Sequence, residues 1–144
     1  MSELNLFQHQ IPIQIRFADI DRLDHVNNAC YLSFFELGRV SYFNAVFKKL
    51  IDWNKMGFVL ARTEIDHQTP IFLNDVVFCY SKIIKLGTKS LTFQNIIVKK
   101  EKDQLIECAT GIGVLVAMDY VSQQSIEIPK NWRSAIEAFE KILS

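Results

Sequence analysis

The chain has 144 residues, 49% of them hydrophobic and 22% charged, with 16 basic side chains against 16 acidic ones. That size fits one domain, residues 1–144, with a substantial core, and the composition excludes a disordered chain. Zero net charge offers nothing to a polyanion, so nucleic acid is set aside as a partner, and no apolar run is long enough for a helix to cross a membrane. The N-terminal MSELNLFQHQ lacks the basic start and apolar block of a signal peptide. Cys30, Cys79 and Cys108 are an odd number without CxxC spacing, and read as buried small hydrophobes in a reducing compartment. A cytoplasmic domain is the expectation.

In chain order, IPIQIRFA (residues 11–18) alternates apolar and polar, with Ile11, Ile13, Ile15 and Phe17 on one side, and predicts a half-buried strand. After the charged stretch that follows, residues 29–51 are apolar around most of a helical wheel, which predicts a helix buried on most sides. Residues 58–69 are strand-compatible and stop at Pro70. Strands are also predicted over 75–86, 90–99 and 105–119. In the last of these Ile106, Cys108, Thr110, Ile112, Val114, Val116 and Met118 share one face, and Ala109, Gly111, Gly113 and Ala117 the other. A face of small residues lets something bulky approach closely. Residues 129–143 place Trp132, Ile136, Phe139 and Ile142 at helical spacing after a proline. Short loops make the strands antiparallel. A helix needing cover and a curved antiparallel sheet with a small-residue face satisfy each other if the sheet wraps the helix, an α+β architecture closed by a short C-terminal helix.

The charged stretch is FADIDRLDHVNN, residues 17–28, which sets Asp19, Asp21, Asp24 and His25 directly before the apolar helix. Either Asn27 or Asn28 can cap that helix. Its first-turn amides have no intrahelical partners and carry the positive end of the dipole, so they can polarise a carbonyl oxygen gaining charge during attack. A carboxylate just upstream can attack the carbonyl carbon or hold a water against it. The loop therefore supplies both halves of acyl-transfer chemistry. It lacks a Gly-rich phosphate cradle and a Ser–His–Asp arrangement.

F-x-D-x-D-x-x-x-H-V-N-N-x-x-Y-L-x-x-F-E resembles the signature of the hotdog-fold acyl-CoA thioesterases, 4-hydroxybenzoyl-CoA thioesterase-like branch. EIDHQTPIFLNDVV (residues 64–77) resembles that family's second strand and turn, and IPKNWRSAIEAF its closing helix. The resemblance implies a hotdog fold and hydrolysis of acyl-CoA or acyl-carrier-protein thioesters without metal or redox cofactor. It makes Asp21, the second Asp of D-x-D, the nucleophile or general base. The backbone amide of Asn28, seven residues on, becomes the oxyanion donor. His25 matches a histidine that related plant acyl-carrier-protein thioesterases carry four residues after the Asp. Asp24 stands where most HVNN members have Gly, and Asn74-Asp75 where they have Gly-Asp. Asn27 and Tyr31 of the motif, with Arg62, Thr63 and Glu64, are the expected substrate-binding residues. The family joins two sheets edge to edge, which implies a homodimer with the site at the seam and further pairing to a homotetramer.

Each residue also has a plainer role. Asp19 reads as a brace for the loop, and Asp21 could merely cap the helix. His25 either orients a partner or bonds the loop backbone. Glu36 is expected to pair with Arg39 at i,i+3, and is the backup carboxylate because a second hotdog lineage places its catalytic Glu on this helix. His67, Asp66 and His9 share no ligand spacing, so no metal site is expected. The competing functions are a non-catalytic acyl-thioester binding or sensing domain, and a hotdog dehydratase.

Overall fold

The computed structural model describes residues 2–141. Six strands form one antiparallel sheet, joined by two α-helices: β1 (His9–Ile13), α1 (Cys30–Phe47), β2 (Met56–His67), β3 (Val76–Leu86), β4 (Ser90–Glu101), β5 (Gln104–Asp119), β6 (Gln124–Ser125) and α2 (Lys130–Glu140). The strand order is β1-β3-β4-β5-β2, with β6 paired to β5. The predicted order of strand, helix, four strands and helix is observed, with the two-residue β6 added before the last helix. Ile142 and Leu143, expected at the end of the last helix, lie outside the described residues.

The first strand is shorter than its alternation suggests. Asp19 accepts hydrogen bonds from the Arg16 amide (2.9 Å) and Nη2 (2.8 Å), and Phe17–Asp19 tighten into a 3-10 turn. That turn takes Phe17 off the strand face and leaves it 83% exposed. A local carboxylate–backbone bond overrides the period-2 signal here.

The helix α1 lies in the concave face of the sheet. Gly111 of β5 is where they approach most closely: a Cβ there would stand 2.3 Å from the Phe35 ring. On the helix, a Cβ at Gly38 would stand 2.7 Å from Ser81 Oγ and 2.8 Å from Cys79 Sγ of β3. Small residues on both partners therefore let the backbones close together, as the small-residue face of β5 anticipated. Around this seam Tyr31, Phe34, Phe35, Tyr42, Phe43 and Phe47 are all buried. Burying a large apolar side chain contributes about 1.5–3 kcal/mol, so this aromatic row is what pins the helix to the sheet. The α1 backbone turns away at Lys48, whose φ of 52° ends the helix.

Three register shifts, at Leu60/Arg62, Ile83/Lys85 and Ile97/Val98, bend the strands around the helix. The third corrects the face assigned to Cys108. Ile97 pairs with Ala109 while Val98 pairs with Glu107, so Cys108 is the extra residue and packs inward with Tyr31, Ile97 and Ala109. The helix differs from expectation too. Leu32, Leu37 and Val40 are 49%, 53% and 52% exposed, so one flank of α1 has no cover. Val40 lines a groove with Leu60 of β2, the strand that ends the sheet with its second edge unpaired and most of its residues exposed.

The C-terminal helix α2 buries Trp132 and Ile136 in the cluster that holds Phe43, Phe47 and Phe58. At its last turn Glu140 is 2% exposed and accepts from the Tyr42 hydroxyl of α1 and, at 3.0 Å, from the Ile83 amide of β3. One buried carboxylate thus ties α2 to both layers.

Candidate active site

The loop before α1 is a small closed turn. Ile20 and Val26 form an antiparallel bridge, the Asp21 amide donates to the His25 carbonyl (3.1 Å), and the Asp24 amide to the Asp21 carbonyl (3.0 Å). Asp24 takes φ 67°, the left-handed region that glycine adopts most easily and that Asp tolerates. The glycine usual there in the resembled motif thus has a steric reason. The turn is anchored by the Val26 amide on the Ile71 carbonyl (2.8 Å) and the Asn27 amide on the Asp19 carbonyl (2.9 Å).

Asp19 and Asp21 are in different settings. Asp19 is 2% exposed, and the hydrogen bonds from Arg16 hold its carboxyl below the usual aspartate range. It is a brace. Asp21 is half-buried, and one oxygen accepts from the Leu23 amide at 2.9 Å while the other has no partner among the described residues.

At the helix start neither asparagine side chain caps α1. The N-cap position is Ala29, without a side-chain bond. Instead Asn27 Oδ1 accepts from the Ala29 amide (2.9 Å), the Asn27 carbonyl from the Cys30 amide (2.9 Å) and the Asn28 carbonyl from the Tyr31 amide (3.3 Å). Of the four amides from Asn28 to Tyr31, only that of Asn28 has no acceptor among the described residues. Orphan amides at a helix start are the usual anion donors of proteins.

Asn28 opens into a cavity of about 250 Å³ lined by His25, Tyr31 and the run His67–Pro70. His25 Nδ1 lies 3.4 Å from the Val26 carbonyl, so its ring bonds the loop backbone. Tyr31 packs edge-on against His67 at 4.8 Å, and burial pushes its phenol up to about 12, keeping the hydroxyl protonated. The Cys108 carbonyl takes both the Gln68 amide (2.8 Å) and the Thr69 amide (3.2 Å), which fixes the far wall. The bulge at Cys108 is thus what shapes this side of the cavity. Asp21 shares the loop with His25 but is not among the residues lining the cavity.

The other expected residues are dispersed. Arg62 and Glu64 pair with each other in solvent, on the face of β2 opposite α1, since Ile65 between Glu64 and Asp66 packs inward over Gly111. Thr63 alternates to the helix side and is exposed. The chain by itself does not bring these three to Asn28. Glu36 makes no ion pair with Arg39, contrary to the i,i+3 expectation; it lines a second cavity, about 360 Å³, with Asp19, Cys30 and Ser33. Sequence reasoning missed His67–Pro70 as site residues, although Pro70 ending a strand marked where they lie. Among the described residues no group of three or more His, Cys, Asp or Glu is arranged to hold a metal.

A long helix wrapped by a curved antiparallel sheet and followed by a short C-terminal helix is the hotdog architecture. The chain belongs to the thioesterase-like superfamily, whose family model matches residues 15–136. It is a thioester hydrolase with the hotdog fold. Among solved structures it is similar to a thioesterase from Thermus thermophilus complexed with coenzyme A and Zn, at 33% identity and TM-score 0.83, covering 96% of this chain and 98% of that one. The long-chain acyl-CoA thioesterase FadM of Escherichia coli is 26% identical over 92% of this chain and 99% of its own length. A 4-hydroxybenzoyl-CoA thioesterase mutant complexed with 4-hydroxybenzoyl-CoA shares the fold, at 12% identity and TM-score 0.81, covering 89% of this chain and 97% of that one.

Proposed function

We propose that the protein hydrolyses acyl-CoA thioesters at the cavity of Asn28, with the Asn28 amide as oxyanion donor and Asp21 as nucleophile or general base. The unpartnered Asn28 amide carries this assignment. A thioester carbonyl seated against it gains negative charge in the tetrahedral state, and a fixed N–H at the positive end of α1 stabilises that charge without reorganising. The second Asp21 oxygen is available to attack the carbon or take a proton from water. Asn27 holds the Ala29 amide away from competition, while His25 and Tyr31 line the approach. The names of FadM and of the coenzyme A complex support a CoA thioester, and an acyl-carrier-protein thioester presents the same reacting atoms to this site.

The working form is a cytoplasmic homodimer joined through the free edges of β2, and two dimers associate into a tetramer. An unpaired edge of twelve residues is an aggregation hazard that pairing removes. In that dimer the Arg62–Glu64 segment faces the partner and completes the site from across the seam.

A panel of CoA thioesters, assayed with parent protein and Asp21→Asn, tests the assignment. Asn keeps the bond to the Leu23 amide but loses nucleophile and base, so kcat should fall by about 10²-fold or more with thioester binding retained. A near-normal rate for Asp21→Asn with collapse for Glu36→Gln would move the chemistry onto the helix. A parent that binds every thioester and turns over none would make it a binding domain.

A further inference from the structure

Arg39 is 6% exposed and makes no hydrogen bond or ion pair among the described residues. Burial lowers its pKa, and the charge of Glu36, one helical turn back, only partly offsets this. A buried guanidinium without an acceptor is costly, and its planar fork suits a carboxylate. The side chain opens into a groove of about 220 Å³ between α1 and β2, which Glu36, Val40, Phe43 and Leu60 also line. One guanidinium nitrogen, Nη1, lies 3.8 Å from where a Cβ on Gly113 would stand, and Gly113 pairs with Thr63 of β2. The middle of β2 falls between Ala61 and Arg62, so Arg39 lies close to the level of that centre, one strand in from the unpaired edge.

We infer that Arg39 is completed by Glu36 of a second copy of this chain, two such ion pairs bracketing the two-fold axis of the β2 dimer. The pairing presupposes the β2 dimer proposed above. A two-fold just outside the free edge of β2, level with its centre and perpendicular to the sheet, sets both strands antiparallel and both α1 helices antiparallel on the same face. An isologous interface makes residue i meet j and j meet i, so two residues three apart near the axis of an antiparallel helix pair face each other reciprocally. Glu36 and Arg39 are that pair, of opposite charge. A second copy, rather than a small anion, is the occupant because the groove is continuous with the free strand edge. It is also bordered by Val40 (52% exposed) and Leu60 (44%), which a small ligand would leave in water.

Charge exchange between chains tests this. In Glu36→Arg and in Arg39→Glu, the two positions carry like charge within each chain and across the axis. Each homodimer should weaken by about 30-fold or more in sedimentation equilibrium. Mixed in equal amounts, the two variants place opposite charges across the axis at both pairs, and a heterodimer seen by native mass spectrometry should recover most of the loss. Pairing within a chain cannot produce that recovery, because each chain keeps its like charges. Two folded variants that fail to form a heterodimer overturn the ion pair. A parent that sediments as a monomer overturns the β2 dimer beneath it. If circular dichroism shows Arg39→Glu unfolded, Arg39→Gln replaces it: its mixture with Glu36→Arg retains one intact pair, and heterodimers at no more than the statistical fraction overturn the proposal.

Discussion

Gly111→Ala should loosen the seat of the central helix. The new methyl carbon would stand 2.3, 2.6 and 3.0 Å from three atoms of the Phe35 ring, where ordinary contact begins at 3.4 Å. The ring must withdraw by about an ångström, yet Phe35 is only 1% exposed and sits within a buried cluster, and protein interiors are close-packed. Overpacking of this kind costs about 1–3 kcal/mol. Gly111 has no positive φ, so alanine gains roughly 0.4–1 kcal/mol from the stiffer unfolded chain, leaving a net loss of about 1–2 kcal/mol. Urea unfolding with an m-value of about 2 kcal/mol/M should show the midpoint falling by roughly 0.5–1 M. Gly113→Ala is the matched control. Its methyl would meet Leu60, Arg39 and Leu115 at 3.6, 3.8 and 3.9 Å, ordinary contacts, so with the same unfolded-chain gain its stability should rise by about 0.4–1 kcal/mol. Adding Phe35→Leu to Gly111→Ala should return part of the loss, since the two changes share one space. Equal stability of the two alanine variants would refute the claim that Phe35 on Gly111 sets the height of the helix.

Glu140→Ala leaves the Tyr42 hydroxyl and the Ile83 amide without their buried acceptor, and should cost about 2–4 kcal/mol in the same urea titration; a loss below about 0.5 kcal/mol would mean water replaces the carboxylate. Cys30→Ser should leave thioester turnover unchanged, and thiol-blocking reagents should spare it. Burial, with Asp19 beside it, pushes the Cys30 thiol up, so little thiolate is present at neutral pH. Abolished turnover in a folded Cys30→Ser protein would point to a thiol mechanism.

The amino-acid sequence by itself determined most of the architecture. Strand-like runs marked β3, β4 and β5, an apolar wheel marked α1, and the alanine–glycine face of β5 marked where the helix would press. These signals are local because side-chain alternation and helical spacing are set by backbone geometry within a few residues. The charged loop was legible for the same reason: D-x-D and HVNN are contiguous, and the helix-start amides follow from where the apolar run begins. Tertiary structure decided the rest. Cys108 faces inward because β4 pairs around it, and a bulge is defined by a partner strand that no single segment specifies. The same bulge holds Gln68 and Thr69 against the cavity, so His67–Pro70 join Asn28 across about forty residues of chain. Which of the first-turn amides stays free depends on the side chain of Asn27 closing on Ala29, a choice between two asparagines that spacing left open. The open flank of α1 was invisible in the residue pattern, because an apolar residue reads alike whether the sheet of its own chain or that of a partner covers it.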